Sequence, residues 1–284
     1  MHCSSIDSRY SFEISGASYA GAPHDDSVMF IGSKVAYLVD NLKNANHCLV
    51  FVDTSILVPD GLKQNNCFVS CVNPSGEYVK VANVLWQERE EKNKNRKYKE
   101  MNGSWFGENV KTGQDVTIQP GCFIDHDVVL GDETIILSGV RISQAKIGKR
   151  CIIKQNAAIG GFGFTMSKDE NGNNIRIPSL GSVVIGDDVE IGSFTNVCRG
   201  MGNDTVLDQY VKLDDHVYIA HDVHIEENCE LAGGSVVGGF AHLGKKIFMG
   251  FNAALRNRIS IGDGAFIGMG AVVTKSFGSG VTLI

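Results

Sequence analysis

From residue 207 the apolar residues recur every six positions without a gap. The hexads read LDQYVK, LDDHVY, IAHDVH, IEENCE, LAGGSV, VGGFAH, LGKKIF, MGFNAA, LRNRIS, IGDGAF, IGMGAV and VTKSFG, each opening on Leu, Ile, Val or Met. Their fifth positions are Val, Cys, Ser, Ala, Ile or Phe. The same rule governs IQPGCF, IDHDVV, LGDETI and ILSGVR from Ile118; ISQAK is one residue short, and IGKRCI, IKQNAA and IGGFGF follow. It resumes with IGDDVE and IGSFTN from Ile185. A unit this short cannot fold alone. It makes sense as one flat side of a coil, first position inward and fifth closing the corner. Three sides of six residues make a coil of 18, and stacked coils pair their backbones in parallel.

Two stretches break the period. Residues 160–184 are polar and glycine-rich in the middle and predict a long loop leaving the coil; residues 199–206, RGMGNDTV, predict a shorter one. Long loops in compact proteins often line sites. The first hundred residues show no hexads. MFIGSKVAYLVDNLKNANHCLVFVDTSI predicts strand, helix, strand, with Val35, Leu38, Val39 and Leu42 at helical spacing. NCFVSCVNPSGEYVKVANVLWQ adds a strand and a second amphipathic helix, and the charged run 87–100 is a solvated helix end or linker. The expected layout is mainly β: a small α/β domain over residues 1–100, then a parallel β-helix over 101–284 with its insertion at 160–184.

Composition narrows the partners. The net charge of −6 disfavours a nucleic acid or an anionic membrane surface. No apolar run is long enough to span a membrane, and MHCSSIDSRYSF lacks the features of a signal peptide. Eight scattered cysteines without a CxxC pair read as reduced thiols in a cytoplasmic protein. Cys122, Cys151 and Cys229 fall at fifth positions, as small packing residues.

The layout, and residues 159–234 in particular, resemble the UDP-3-O-acylglucosamine N-acyltransferases and related nucleotide-sugar N-acyltransferases. IGGFGF, the return segment IPSLGSVVIGDDVEIG, TNVCRGMGNDTVL, and YIAHDVHI followed by LAGG carry the likeness. Cys198 stands where the family has an acidic residue. The resemblance implies a left-handed β-helix, a homotrimer with active sites between subunits, and acyl transfer from a thioester to the amine of a nucleotide-linked sugar. It implies His221 as the catalytic histidine, and substrate contacts from Phe30, Ser33 and Tyr37, with Phe162 and Phe164 of the IGGFGF loop as further candidates. The aromatic spacing from Phe30 to Tyr37 is one longer than the family's and Ser33 replaces its Asn, departures that leave the base open, with another pyrimidine such as thymine as an alternative to uracil. AFIGMGAVVTKSFGSGVTLI looks like the last coil of CoA-dependent sugar acetyltransferases, which favours acyl-CoA over acyl carrier protein as donor.

The chemistry needs a base for the amine proton and a donor for the oxyanion. His221 is at the third position of its hexad, side-facing and outside the core. Eighteen residues on, Gly239 should lie one coil along, where a glycine lets a ligand approach its N–H. The family uses the equivalent amide. Asp222 follows the histidine and would orient its ring from a corner; Asp215 competes for that role. His224 and His242, one coil apart, predict a surface ladder. His216 and His221 have a zinc-enzyme spacing, but no third histidine lies two coils upstream, so no metal is expected. The rival activities are lipid A N-acyl transfer from a carrier protein, O-acetyl transfer to a small hydroxyl compound, and a non-catalytic scaffold.

Overall fold

The computed structural model describes residues 1–284, which form two compact units. The first holds residues 1–95, 164–180 and 201–203; the second holds 96–163, 181–200 and 204–284.

In the first unit, β1 (Gly16–Ala17), β2 (Ser27–Ile31), β3 (Leu49–Asp53) and β4 (Cys67–Cys71) form a parallel sheet in that order. Strand alternation sends Met29, Ile31, Val50 and Val52 to one face, where they pack with Leu38, Val39 and Leu42. Those three come from the expected helix, Ser33–Asn44, which is 3-10 rather than α and is broken at β-branched Val35, with φ −127° and ψ 28°. Helix α1 (Pro74–Asn93) packs on β2, β3 and β4. Pro74 sits in its first turn, and Asn73 Oδ1 accepts the Gly76 N–H at 3.0 Å, capping the helix. The first half of the charged run 87–100 is thus the exposed end of α1. The long insertion is more than a loop. Met166–Lys168 and Asn174–Arg176 pair as an antiparallel hairpin. The hairpin packs on the start of α1, with Ser167 Oγ 2.8 Å from Ser75 Oγ and the Asn73 amide donating to the Lys168 carbonyl.

The second unit is a left-handed parallel β-helix with three sheets of eight, nine and ten strands. Most strands are two residues long and comprise the sixth position of one hexad, facing out, and the first of the next, facing in: Tyr218–Ile219, Val236–Val237, Ala254–Leu255. Positions three and four turn the corner, and position four takes the left-handed backbone, as at Asp222 (φ 55°), Phe240 (60°) and Arg258 (61°). Fifth-position Cys122, Cys151 and Cys229 are buried in the aliphatic core.

The three faces can be named in chain order: the first runs from Trp105 to Val273, the second from Lys111 to Ile261, the third from Thr117 to Leu283. Side-chain bonds between coils record the register. The Gln114 N–H reaches Asp132 across 18 positions, Lys149 reaches Asp187 across 38, Ser193 reaches Asp215 across 22, and Lys245 reaches Asp263 across 18 again. The extra residues leave after Ala158–Gly161 and after Asn196–Cys198, both on the first face, and return on the second at Val183–Ile185 and Thr205–Leu207. Both interruptions therefore occupy the same corner.

Candidate active site around His221

The next turn at that corner carries His221. It lies between Tyr218–Ile219 on the first face and His224–Ile225 on the second. Because the flat run spans only positions six and one, the third position is in the turn and not on a side. The residue is only 9% exposed, where an open side-facing position was expected.

Four groups fix the imidazole. Asp222, turned by its left-handed backbone, brings Oδ2 to 2.8 Å from His221 Nδ1. Its own N–H donates to Thr205 Oγ1 at 2.9 Å, and Thr205 is fully buried. An ionised carboxylate can only accept, so Nδ1 carries the proton and Nε2 presents its lone pair. Gly239 lies one coil along: Ile219 pairs with Val237, and the Phe240 N–H donates to the His221 carbonyl at 3.1 Å. A Cβ at Gly239 would fall 2.7 Å from His221 Cε1 and Nε2, and one at Gly163 would fall 2.8 Å from His221 Cβ and 2.9 Å from Cδ2. The ring thus occupies space that two glycines leave. Phe240 meets it edge-on at 5.0 Å, and the Arg258 guanidinium covers Phe240 at 4.3 Å.

Gly239 is buried, and its N–H donates to no group of the chain. The corresponding N–H groups of Gln114, Lys149 and Lys245 each bond an aspartate on the next coil. A buried, unused donor beside a histidine lone pair is suited to an oxygen that gains negative charge. Close by in sequence, the Cys198 thiol is 3.4 Å from the Tyr218 hydroxyl. Burial raises the thiol above its ordinary range, and burial with the thiol contact pushes the phenol up to about 12. Cys198 is therefore a neutral packing group at physiological pH, not a nucleophile.

The other candidates separate. Asp215 accepts the Ser193 N–H on a different corner. The His224 and His242 rings are 5.3 Å apart and each meets a carboxylate, Asp208 at 3.0 Å and Glu226 at 2.9 Å, a surface ladder. His216 stacks on Phe194. No group of three His, Cys, Asp or Glu is arranged to hold a metal. In the first unit, Phe30 is half-buried with its ring 5.1 Å from Tyr78 of α1. Ser33 is exposed, and so is Tyr37, at 70%, on the segment that covers the opposite face of the sheet. Phe30 and Tyr37 are not brought together as a pair of stacking rings. Phe162 is exposed beside Gly163 with the Arg199 guanidinium 4.2 Å from its ring, and Phe164 is exposed. Sequence reasoning missed Gly163, Thr205 and Phe240. Only Gly163 left a signal, as a glycine within IGGFGF.

The bacterial transferase hexapeptide family (six repeats) matches residues 204–239, the stretch that carries both His221 and Gly239. A UDP-3-O-acylglucosamine N-acyltransferase of Janthinobacterium sp. (strain Marseille) is 42% identical over 137 residues, 48% of this chain and 38% of that protein. Residues 204–239 are thus hexapeptide repeat, and about half of the chain is similar to UDP-3-O-acylglucosamine N-acyltransferases. The hexapeptide protein is also 39% identical over 157 residues, 54% of its length, to the enzyme of the same name from Herminiimonas arsenicoxydans, covering 44% of that relative. The matches span less than half the length of these curated relatives. Among solved structures, UDP-N-acetylglucosamine acyltransferase from Francisella novicida is 26% identical with a TM-score of 0.56, covering 62% of the hexapeptide chain and 63% of its own.

Proposed function

We propose that the protein is an acyltransferase that moves an acyl group from a thioester, acyl-CoA, to the amine of a sugar carried on a nucleotide diphosphate. The observation that carries this reading is the joint placement of the His221 lone pair and the unused Gly239 N–H, with Asp222 holding Nδ1. The amine nitrogen attacks the thioester carbonyl while His221 Nε2 takes its proton. The carbonyl oxygen, now an oxyanion, is received by the Gly239 N–H. The intermediate collapses by breaking the C–S bond, and the histidine returns the proton to the departing thiolate. Asp222 stabilises the imidazolium without itself taking the proton. In this reading Tyr37, with Ser33, meets the base of the nucleotide, Phe30 packs under α1 on the other face of the sheet and does not stack on that base, and Phe162 and Phe164 contact the acceptor. The protein works in the cytoplasm as a homotrimer.

The test is His221→Ala, assayed by thiol release from acyl-CoA with nucleotide-sugar acceptors. kcat should fall by about 10²–10⁴-fold while acceptor affinity survives. Near-normal turnover in folded protein would refute the mechanism. The name of the relatives, UDP-3-O-acylglucosamine N-acyltransferase, favours a second reading in which that sugar nucleotide is the acceptor, as in the rival expectation of lipid A synthesis from an acyl-carrier-protein donor. A strong preference for acyl carrier protein over acyl-CoA of equal chain length would select it.

A further inference from the structure

The parallel sheet of the first unit has two ends. Ser33 and Tyr37 follow the C-terminal end of β2. At the opposite end, where the strands begin, lies an open cleft of about 570 Å³, within the range of about 300–1,000 Å³ usual for small-molecule sites. Asp26 stands one residue before β2, and His47 and Asn65 stand two before β3 and β4. Residues 9–15 form the facing wall. The Cys3 N–H donates to the Phe12 carbonyl at 2.9 Å and the Ile14 N–H to the Met1 carbonyl at 2.7 Å, so this arm is folded back on residues 1–3. The Tyr10 hydroxyl donates to the Lys63 carbonyl at 2.8 Å and seats the arm against the strand starts.

The cleft offers aromatic rings and hydrogen-bond acceptors, and its fixed positive charge is already engaged. Arg9 Nε and Nη2 bond the Asp7 carboxylate at 3.0 and 2.6 Å. The same guanidinium lies 5.7 Å from the centre of the Tyr10 ring, so the wall already carries one cation on an aromatic face. Tyr10 meets Phe12 edge-on at 5.7 Å, and Phe12 stacks on His47 at 5.3 Å, which makes the three rings one continuous surface. Asp26 Oδ1 is 3.2 Å from His47 Nδ1, which leaves Oδ2 to a ligand. Glu13 meets the Met1 amine at 3.8 Å, beyond hydrogen-bond length. The Asn65 amide donates to Asn46 Oδ1 at 2.9 Å and keeps its own oxygen as an acceptor.

We infer that this cleft binds an organic ammonium ion, its charge held by Asp26 and Glu13 and its carbon skeleton laid on the Phe12 and His47 rings. The chemistry of the lining selects that class. An anion would have to displace Asp7 from Arg9 and would face two carboxylates. A neutral polyol could use the acceptors but would gain nothing from either charge. A protonated amine uses everything present: the ring faces attract a cation, and the carboxylates accept its N–H groups in charge-assisted bonds. Two kinds of molecule carry this group, a hydroxylated ring amine of the amino-sugar type and a linear polyamine. The site belongs to the first unit alone and is independent of the acyl-transfer reading. It lies at the end of the sheet away from Ser33 and Tyr37, so a ligand here does not compete with one there.

The experiment is isothermal titration of the full chain, at neutral pH and low salt, with glucosamine, spermidine and, as the neutral control, N-acetylglucosamine. One of the two amines should bind about tenfold or more tightly than the control, the worth of one hydrogen bond to a charged group. Glucosamine as the tighter amine assigns a hydroxylated ring ligand, and spermidine a linear one. Asp26→Asn and Glu13→Gln keep the shape and remove one charge each; each should weaken that amine by about tenfold with the circular dichroism unchanged. Asparagine also tolerates the left-handed backbone at Asp26, φ 57°. Glu88→Gln, which neutralises an exposed carboxylate of α1 outside the cleft, should leave the affinity as it was. The inference is overturned if neither amine binds, if the control binds as well, or if the affinity withstands both cleft variants. An equal loss in Glu88→Gln would overturn it too, by showing attraction to the acidic surface in general. None of these readouts involves a thioester or turnover, so they succeed or fail independently of His221→Ala.

Discussion

Gly239→Ala tests the site with a single methyl group. Its Cβ would lie 2.7 Å from His221 Cε1 and Nε2, against the 3.4–4 Å of ordinary contact, so the ring must retreat by roughly 0.7 Å or more. It has little room to do so. Gly163 closes the other side near Cβ and Cδ2, Phe240 meets the edge, and moving the ring stretches its 2.8 Å bond to Asp222. Overpacking of this kind costs about 1–3 kcal/mol, a fall of about 2–12 °C in Tm for a chain of this size. The catalytic loss should be larger, because a misplacement near 1 Å costs about 10²-fold in rate. kcat on the amine acceptor should therefore fall by about that factor, while acceptor affinity changes little. The double variant His221→Ala/Gly239→Ala is the decisive arm. With the ring gone, the added methyl has nothing to strike, so its stability and residual kcat should match those of His221→Ala alone, a strong non-additivity. Turnover within a factor of about three of wild type in Gly239→Ala, or simple additivity in the double variant, would refute the proposed packing of histidine on glycine.

Two further outcomes follow from the same geometry. Asp222→Asn keeps the shape but can offer an N–H to Nδ1, locking the ring proton on Nε2; kcat should fall by about 10²-fold or more with KM little changed, as read from steady-state kinetics. Acid should loosen the fold in a defined direction. Hydrogen bonds from Arg96, Lys149 and Arg150 hold the Asp127, Asp132 and Asp188 carboxyls below their ordinary range. Their contribution is present above about pH 4, the unfolded value, and is lost as pH falls through the lower folded values. The thermal midpoint should accordingly drop between about pH 4 and pH 2; a midpoint that rises on acidification would contradict the assignment.

The β-helix was legible because its signal is a count. Hexads from Leu207 to Val272 map onto the stacked strands, the last of the twelve closes two residues early where Phe277 pairs with Ile261, and the 18-residue offset puts Gly239 beside His221. What escaped depended on the corner. A period of six does not say which positions are flat, so His221 was read as side-facing, although positions three and four form the turn. The same uncertainty left Asp222 and Asp215 as rivals until the left-handed backbone at Asp222 turned its carboxylate onto Nδ1. Thr205 and Gly163 escaped for another reason: they reach the site from the resumed and interrupted strands, and no local pattern reports a contact made across an insertion. In the first unit, helical spacing located Leu38, Val39 and Leu42 on the core, but it could not distinguish a 3-10 segment broken at Val35 from an α-helix.

Both interruptions leave and rejoin the stack at one corner, and the other two corners keep their count through every coil between Ile185 and Ile261. That corner behaves as a port. Because re-entry is always to the next strand of the second face, the length of what passes through it is free: 20 extra residues and four extra residues both restore the same alignment, as the spans of 38 and 22 positions show. Sequence can be exchanged there without disturbing the pairing above or below. His221 sits on the first closed turn after the port, held by groups from neighbouring coils. A lineage could thus replace the hairpin and the short bend, and with them whatever those segments touch, while the acid–base group stays in register. The solenoid separates the part that varies from the part that must not move by a single coil.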